Sequence, residues 1–400
     1  MKISYGKNVY GAEEIRSVVS QLKKTTQMGA SVNKFELLIA KKFSKKYGLM
    51  VNSGSSAITL ALNAIGINKN DEIIVPCLNF GTALSSIIQV QAKPILVDIE
   101  IETLQIDVSK IEKKITNKTK AIMVPNLIGN IPDLKKIKSI ATKHNLKVIE
   151  DSADTLGARI GDKATGVYSD ISITSFYGSH VISCAGNGGM FLTNNKKFYE
   201  KAKVLRSWGR MSTLIKDSEN IQKRLSIKLK GYDYDKKFVF SEVGYNFEPS
   251  EIGASFGLIQ LKKFNKFSKI RVRNFDLHKI FFDQFKHLFI SPKINKEIRT
   301  NFLAYPIIIK QNKFFNRKML QVFLEKNSIQ TRPIFSGNIL RHPAFKNIIS
   351  NRNKLNSFKN SDYIMKNGIL IGCHQGLSLK NIIYIHKQIN IFLKKYLNKN

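Results

Sequence analysis

Cysteine is scarce in this chain: Cys77, Cys184 and Cys373 are the only three in 400 residues, and they lie far apart. That excludes a disulfide framework, and the lack of any CxxC or Cys/His ligand spacing excludes a zinc site. The three are expected to be buried as small apolar side chains. Long apolar runs are missing as well, since none approaches the roughly 18 to 20 residues of a membrane-spanning helix. The opening stretch MKISYGKNVYGAEEIRSVV has no apolar signal core and no small-residue cleavage site, so a cytoplasmic protein is expected. Internal repeats and low-complexity linkers do not occur, which excludes a repeat array and a disordered chain. Acidic residues are few, 29 against 65 basic ones, leaving a net charge of +36. Such a field attracts polyanions, from nucleic acid and acidic lipid to a nucleotide diphosphate. The lysines are nevertheless spread along the whole chain among abundant isoleucine and asparagine, a pattern that fits solvated helix faces as well as steering.

What the chain does have is the composition of a globular protein, 43% apolar and 10% aromatic, and more length than one core usually takes. From Asn52 to Thr193 short apolar runs alternate with stretches of helical period. Strands are predicted at Glu72–Pro76, Pro94–Asp98, Lys120–Pro125 and Lys147–Glu150, with helices between them such as Ala57–Ile65 and Leu134–His144. This rhythm predicts a largely parallel sheet covered by helices on both faces, with the ligand at the carboxyl ends of the strands. From about Gly253 the texture changes. A long helix (Ile252–Phe285) is predicted to lead into a strand (Phe302–Ile309), a helix (Lys313–Glu325), a strand (Ser328–Ile334) and a closing helix (Leu379–Leu397). The expected division is a large domain over 1–250 and a smaller α/β domain over 251–400, joined by the N-terminal helices folding back.

Three segments carry candidate chemistry. Asn52-Ser53-Gly54-Ser55-Ser56-Ala57 precedes a helix, where free N–H groups and serine hydroxyls can hold a phosphate, although such residues serve equally as a plain N-cap. Glu150-Asp151-Ser152-Ala153-Asp154 ends a strand, where an acid meets a ligand in the crevice or only caps a turn. Asp170–Phe176 alternates like a strand and runs into Tyr177-Gly178-Ser179-His180, followed by the turn and strand of Asn187–Thr193.

In this order and separation the segments resemble the DegT/DnrJ/EryC1/StrS family of sugar-modifying aminotransferases. The resemblance runs nearly end to end, through Gly29 with Phe35-Glu36, Ser55-Ser56, Pro94–Asp98, Glu150-Asp151, Ser175-Phe176, Gly188-Gly189 and Gly244-Tyr245-Asn246. It implies the aspartate aminotransferase-like fold type I and pyridoxal phosphate as cofactor. Carried over by position, Gly54, Ser55 and Ser56 with Ser175 are implied to hold the cofactor phosphate, and Phe80 to stack on its ring. Asp151 is implied to bind the ring nitrogen, whose protonation lets the ring accept electrons. Asp154 falls near the ring hydroxyl, where many aminotransferases have a glutamine. Asn246 is implied to reach the phosphate of a neighbouring subunit, hence a homodimer with shared active sites.

One position departs from the family's pattern. The aminotransferases read S-F-x-x-x-K, the lysine tethering the cofactor; here the count from Ser175 arrives at His180. Lys163 precedes the strand and Lys196 and Lys197 follow the next one, so none is an obvious substitute. Imidazole forms no stable imine but moves protons near neutral pH. The change resembles the nucleotide-sugar 3-dehydratase branch, similar to GDP-4-keto-6-deoxymannose 3-dehydratase, with further matches at Trp208-Gly209-Arg210, Arg332–Asn338 and Gly372-Cys373-His374; Val181 differs from the second histidine usual there. The resemblance implies 3-dehydration of an NDP-4-keto-6-deoxyhexose with pyridoxamine phosphate as the amine, L-glutamate restoring it, and His180 as the proton carrier. Trp208, Arg210 and Arg332 are candidate substrate contacts, with structural contacts as the competing reading. No cysteine follows Trp208-Gly209-Arg210, and three cysteines cannot supply the four thiolates of an iron–sulfur cluster, so none is expected. Neither nucleic acid nor membrane is an expected partner. The competing functions are a nucleotide-sugar aminotransferase and a non-catalytic binding protein.

Overall fold

The computed structural model describes residues 2–215 and 217–397. Seven strands form the large sheet: β1 (Tyr47–Val51), β2 (Glu72–Pro76), β3 (Lys93–Val97), β4 (Thr119–Pro125), β5 (Lys147–Asp151), β6 (Ile171–Ser175) and β7 (Gly189–Thr193). Their order is β1-β7-β6-β5-β4-β2-β3. Strands β2 to β6 pair in parallel, while β7 is antiparallel to both of its neighbours, β1 and β6. The central strands are buried on both faces, which is why EIIVP and KAIMVP read as unbroken apolar runs. Their alternate side chains enter two different cores. Ile73, Val75 and Met123 join the cluster under α3 (Gly54–Ala64) and α4 (Gly81–Gln89), with Leu205 of the later helix Lys196–Arg206. Ile74, Ile122 and Val124 join the cluster under α5 (Leu134–Lys143). With helices on both faces, the carboxyl ends of β1, β2, β4, β5 and β6 and the amino end of β7 line one edge.

The N-terminal helices Ala12–Leu22 and Ala30–Lys42 pack against a 33-residue helix, Glu251–Asp283, called αL here. Ala254, Phe264 and Phe267 of αL meet Phe35, Phe176 and Cys184 beside the large sheet. Phe275, Phe281 and Phe282, further along the same helix, belong to the core of a second sheet. That sheet is antiparallel throughout, in the order Phe289–Ile290, Ala304–Ile309, Gly368–Gly372, Thr331–Pro333. The chain's start joins it, with Ile3 bridging Ile329. The connection between Thr331–Pro333 and Gly368–Gly372 returns to the first sheet, since Ile339, Leu340, Phe345 and Phe358 are part of its core.

The helix predicted from Lys313 begins at Arg317. Asn312 accepts the N–H groups of Phe314 and Phe315 and so makes a turn there, and Asn316 caps the helix by accepting from Met319 N. The strand predicted over Ser328–Ile334 shortens to Thr331–Pro333. Gly368–Gly372, central to the second sheet, is a five-residue run bounded by glycines and was not predicted. All three cysteines are free and buried, as expected. Among the described residues no helix is long and apolar enough to cross a membrane.

Candidate active site

Four polypeptide turns meet where the sheet's edge passes from β1 to β6. After β1, Ser53 takes an extended conformation and its Oγ accepts from Ser56 N at 3.1 Å, capping α3. Ser56 Oγ is turned inward, 2.6 Å from Asn52 Oδ1 and 2.9 Å from Ser53 Oγ. The half-buried Gly54 and Ser55 therefore bring the leading N–H groups of the helix to the edge. A Cβ on Gly54 would lie 2.9 Å from Ser175 Cβ, and one on Gly189 would lie 2.3 Å from Ser53 O. Backbone of β1, β6 and β7 thus closes into a cradle that only glycine permits, with the Ser175 hydroxyl on its wall. The plain N-cap reading of the segment Asn52–Ala57 thus holds for Ser53.

Asp151 ends β5 and Asp154 follows one turn later; both are buried. Asp151 Oδ1 accepts from Ala153 N at 3.0 Å, and Asp154 Oδ2 from Ile128 N at 2.8 Å. Ile128 has φ +61, an unusual backbone for a β-branched residue, held at this edge by that bond. Burial pushes the Asp151 carboxyl up to about 6 and that of Asp154 up to about 7, where the neighbouring Asp151 adds to the rise. A carboxylate made costly by burial is a site for a cationic partner, such as a protonated ring nitrogen.

His180 sits in the loop from Phe176 to Gly188, which is closed by bonds from Phe176 N to Gly188 O, Gly178 N to Gly186 O and Cys184 N to Phe176 O. Its side chain is 14% exposed and its Nδ1 is 3.9 Å from Asp154 Oδ1. Nδ1 is buried and makes no hydrogen bond. Burial, then the guanidinium of Arg271, hold the imidazole down to about 4, so it is neutral at physiological pH. Arg271 was not foreseen: a lysine- and arginine-rich helix gives no sign of which cation turns inward.

The remaining predicted residues lie at various distances from this centre. Phe80, 60% exposed at the start of α4, meets Phe335 edge-on at 6.5 Å. Asn79, before it, has a buried Nδ2 without a hydrogen bond. Asn246 is exposed, bridges Ser207, and its carbonyl accepts from Asn52 Nδ2 at 3.4 Å. Arg210 stacks over Trp208 at 4.4 Å and faces Phe238 at 5.3 Å. Arg332 is exposed and lies 5.8 Å over the ring of Tyr5. Lys163, Lys196 and Lys197 are exposed. Lys45 is the buried lysine among the described residues, and it is spent on the carbonyl of Ser169 at 2.6 Å, before β6 rather than after it.

The glycine cradle, the buried Asp151 carboxyl and the unpartnered His180 Nδ1 and Asn79 Nδ2 together fit a phosphorylated, cationic, planar group bound at this edge. Comparisons with known proteins point the same way. The sequence profile of the DegT/DnrJ/EryC1/StrS aminotransferase family matches residues 9–390. Lipopolysaccharide biosynthesis protein RfbH of Salmonella typhimurium is 31% identical over 396 residues, 96% of this chain and 90% of that protein. GDP-perosamine synthase of Escherichia coli O157:H7 is 32% identical over 365 residues, covering 91% and 90%. The structure of E. coli GDP-4-keto-6-deoxy-D-mannose-3-dehydratase with bound hydrated PLP superposes with a TM-score of 0.85 at 29% identity, over 97% of this chain and 100% of that one. The same enzyme has been seen with a trapped PLP-glutamate geminal diamine. The fold is therefore that of the PLP-dependent fold type I enzymes, with the mostly parallel sheet expected from the sequence.

Proposed function

Because the chain belongs to the DegT/DnrJ/EryC1/StrS aminotransferase family, we propose that it is a nucleotide-sugar 3-dehydratase: it removes the 3-hydroxyl of an NDP-4-keto-6-deoxyhexose, leaving a 3-deoxy-4-keto sugar. The cofactor is pyridoxal phosphate in its aminated form, pyridoxamine phosphate, and L-glutamate restores the amine. The observation that carries the reading is His180, standing one loop after Ser175 where an amine would tether the cofactor, with the buried lysine engaged elsewhere.

Bound pyridoxamine phosphate supplies an amine for the keto carbon and a ring that draws off electrons. The protein's residues do the rest. Gly54 and Ser55 N–H groups and the Ser175 hydroxyl hold the phosphate; Ser56, its hydroxyl turned to Asn52, shapes the turn. Asp151 binds the ring nitrogen and keeps it protonated, while Phe80 flanks the ring. His180 is neutral and so ready to accept a proton at Nε2, the nitrogen not facing Asp154. It can then return that proton to the departing 3-hydroxyl. Asp154, 3.9 Å from Nδ1, favours the imidazolium that this transfer creates. Trp208, Arg210 and Arg332 are available to a nucleotide diphosphate.

A homodimer with shared sites is supported by the exposed apolar side chains between 208 and 243, including Tyr232 at 76% and Val243 at 95% exposure, beside Asn246. The setting is cytoplasmic synthesis of a surface polysaccharide. The alternative, transfer of an amine to the 4-keto sugar, is supported by the likeness to GDP-perosamine synthase. Incubation with glutamate, PLP and a panel of NDP-4-keto-6-deoxyhexoses separates the two. The dehydratase yields a product lighter by one oxygen atom, with ammonia and 2-oxoglutarate formed alongside as glutamate supplies the reducing equivalents, whereas a 4-amino sugar with all hydroxyls intact would overturn the reading. His180→Asn is expected to lose about a thousandfold in dehydration while still binding PLP.

A further inference from the structure

Arg271 projects from the middle of αL and is fully buried, yet none of its hydrogen bonds goes to a carboxylate. Nη1 donates to the carbonyls of Phe302 (2.9 Å) and Leu303 (3.1 Å), and Nε donates to Gln375 Oε1 at 2.6 Å. Nη2 donates to the carbonyls of Ser179 and His180, both at 3.1 Å. Gln375 in turn donates from Nε2 to Val181 O at 3.2 Å. Three consecutive carbonyls, 179, 180 and 181, are therefore held by one guanidinium and the amide it binds. A buried cation whose hydrogen bonds all go to neutral dipoles is costly, and it persists where the surrounding structure or the chemistry requires it.

We propose that Arg271 is the positioning residue of His180: it fixes the backbone on both sides of the imidazole and keeps a permanent positive charge beside it, so that residue 180 enters each turnover as an unprotonated base. This rests on the reading of His180 as the proton carrier. The charges around His180 are few. Asp154, beside Asp151, faces it from the segment after β5, Tyr177 lies edge-on at 6.2 Å on its own loop, and Arg271 comes from αL. Arg271 also acts on Tyr5 from the chain's start and on Cys373 and His374 after the strand Gly368–Gly372. Burial first and the Arg271 charge second hold the imidazole below its ordinary value. A guanidinium suits this task because it stays charged when buried and forks between two carbonyls.

The test is a pH titration of the PLP-loaded protein with ring-13C-labelled histidine, the His180 signal being identified by its loss in His180→Asn. The wild-type signal is expected to titrate well below the ordinary value of about 6.5. Arg271→Gln is expected to raise that midpoint by about one pH unit and to move the acidic limb of kcat/KM by the same amount. Arg271→Lys, which keeps the charge, is expected to leave the midpoint in place while lowering kcat through a loosened loop. Should Arg271→Gln not fold, Gln375→Glu, which sets a carboxylate against Nε and cancels the charge while leaving the Arg271 bonds to Ser179 and His180 in place and giving up the bond to Val181 O, is expected to raise the midpoint too. An unchanged midpoint in a folded charge-cancelling variant, or an equal rise in Arg271→Lys, overturns the proposal. The titration reads out whether or not the enzyme dehydrates its substrate, so a wild type that loses no water would refute the dehydratase reading alone.

Discussion

At the scale of single residues the site is a set of groups that burial has pushed toward neutrality. Asp154 shows the consequence most plainly. Its carboxyl is raised from 3.8 to about 7 by burial, with Asp151 adding to the rise and the Ile128 N–H working against it. Below pH 4 it is protonated in both the folded and the unfolded chain. Between pH 4 and 7 the unfolded chain ionises first, so the fold loses stability as pH rises. At about 1.4 kcal/mol per tenfold change, the loss is on the order of 4 kcal/mol by pH 8. Urea denaturation of the cofactor-free protein should therefore show Asp154→Asn gaining stability over wild type at pH 8 but not at pH 4; equal differences at both values would contradict the burial argument. Asp151→Asn should weaken PLP binding by at least about tenfold and turnover by about a hundredfold or more, read by fluorescence titration and initial rates. The positions of Asp151 and His180 at this edge were legible because one ends a strand and the other lies in the loop just after one. Arg271 was not, because its partners are 31 to 104 positions away in sequence and only packing brings them together.

At the scale of elements, the strands were read with little error where apolar runs were continuous. Glu72–Pro76 matches its prediction, and the closing helix Leu379–Leu397 matches as well. Gly368–Gly372 was lost among turn signals, and the insertion from 208 to 245 has no periodicity to read. Which strand is reversed could not be told from periodicity, since β7 carries the same fully buried pattern as the parallel strand β2. Two glycines give this scale its tests. Gly189→Ala would press a methyl against the Ser53 carbonyl and the Gly54 nitrogen, at 2.3 and 2.6 Å. Backbone on both sides cannot yield, so PLP affinity should fall by more than about tenfold even if the protein folds. Gly257→Ala in αL would meet Cys184 Sγ at 2.6 Å and the Phe35 ring at 3.0 Å. The gain of about 1 kcal/mol in helix propensity is then outweighed by an overpacking cost of roughly 1 to 3 kcal/mol. Adding Cys184→Ala should recover part of the loss, a coupling measurable by denaturation of the single and double variants.

At the scale of the whole molecule, the site lies where the edge of the large sheet, αL and the loop 335–338 come together. Ser336 N donates to Asn79 O and Asn79 N to Ser336 Oγ, tying the Phe80 turn to the segment after Thr331–Pro333. The apolar surface between 208 and 243 gives the proposed dimer its own test: Val243→Asp combined with Tyr232→Glu should move the protein toward monomer in sedimentation and lower activity with it. Unaltered sedimentation would place the interface elsewhere. The charge of +36 predicts that the KM for a nucleotide sugar rises with ionic strength.

The proposed dehydratase needs an imidazole in the place of an amine tether. Borohydride reduction of the PLP-loaded protein, followed by peptide mass mapping, tests this most directly. No lysine is expected to carry a pyridoxyl group after reduction; a stoichiometrically pyridoxylated lysine at any position would contradict the assignment of His180.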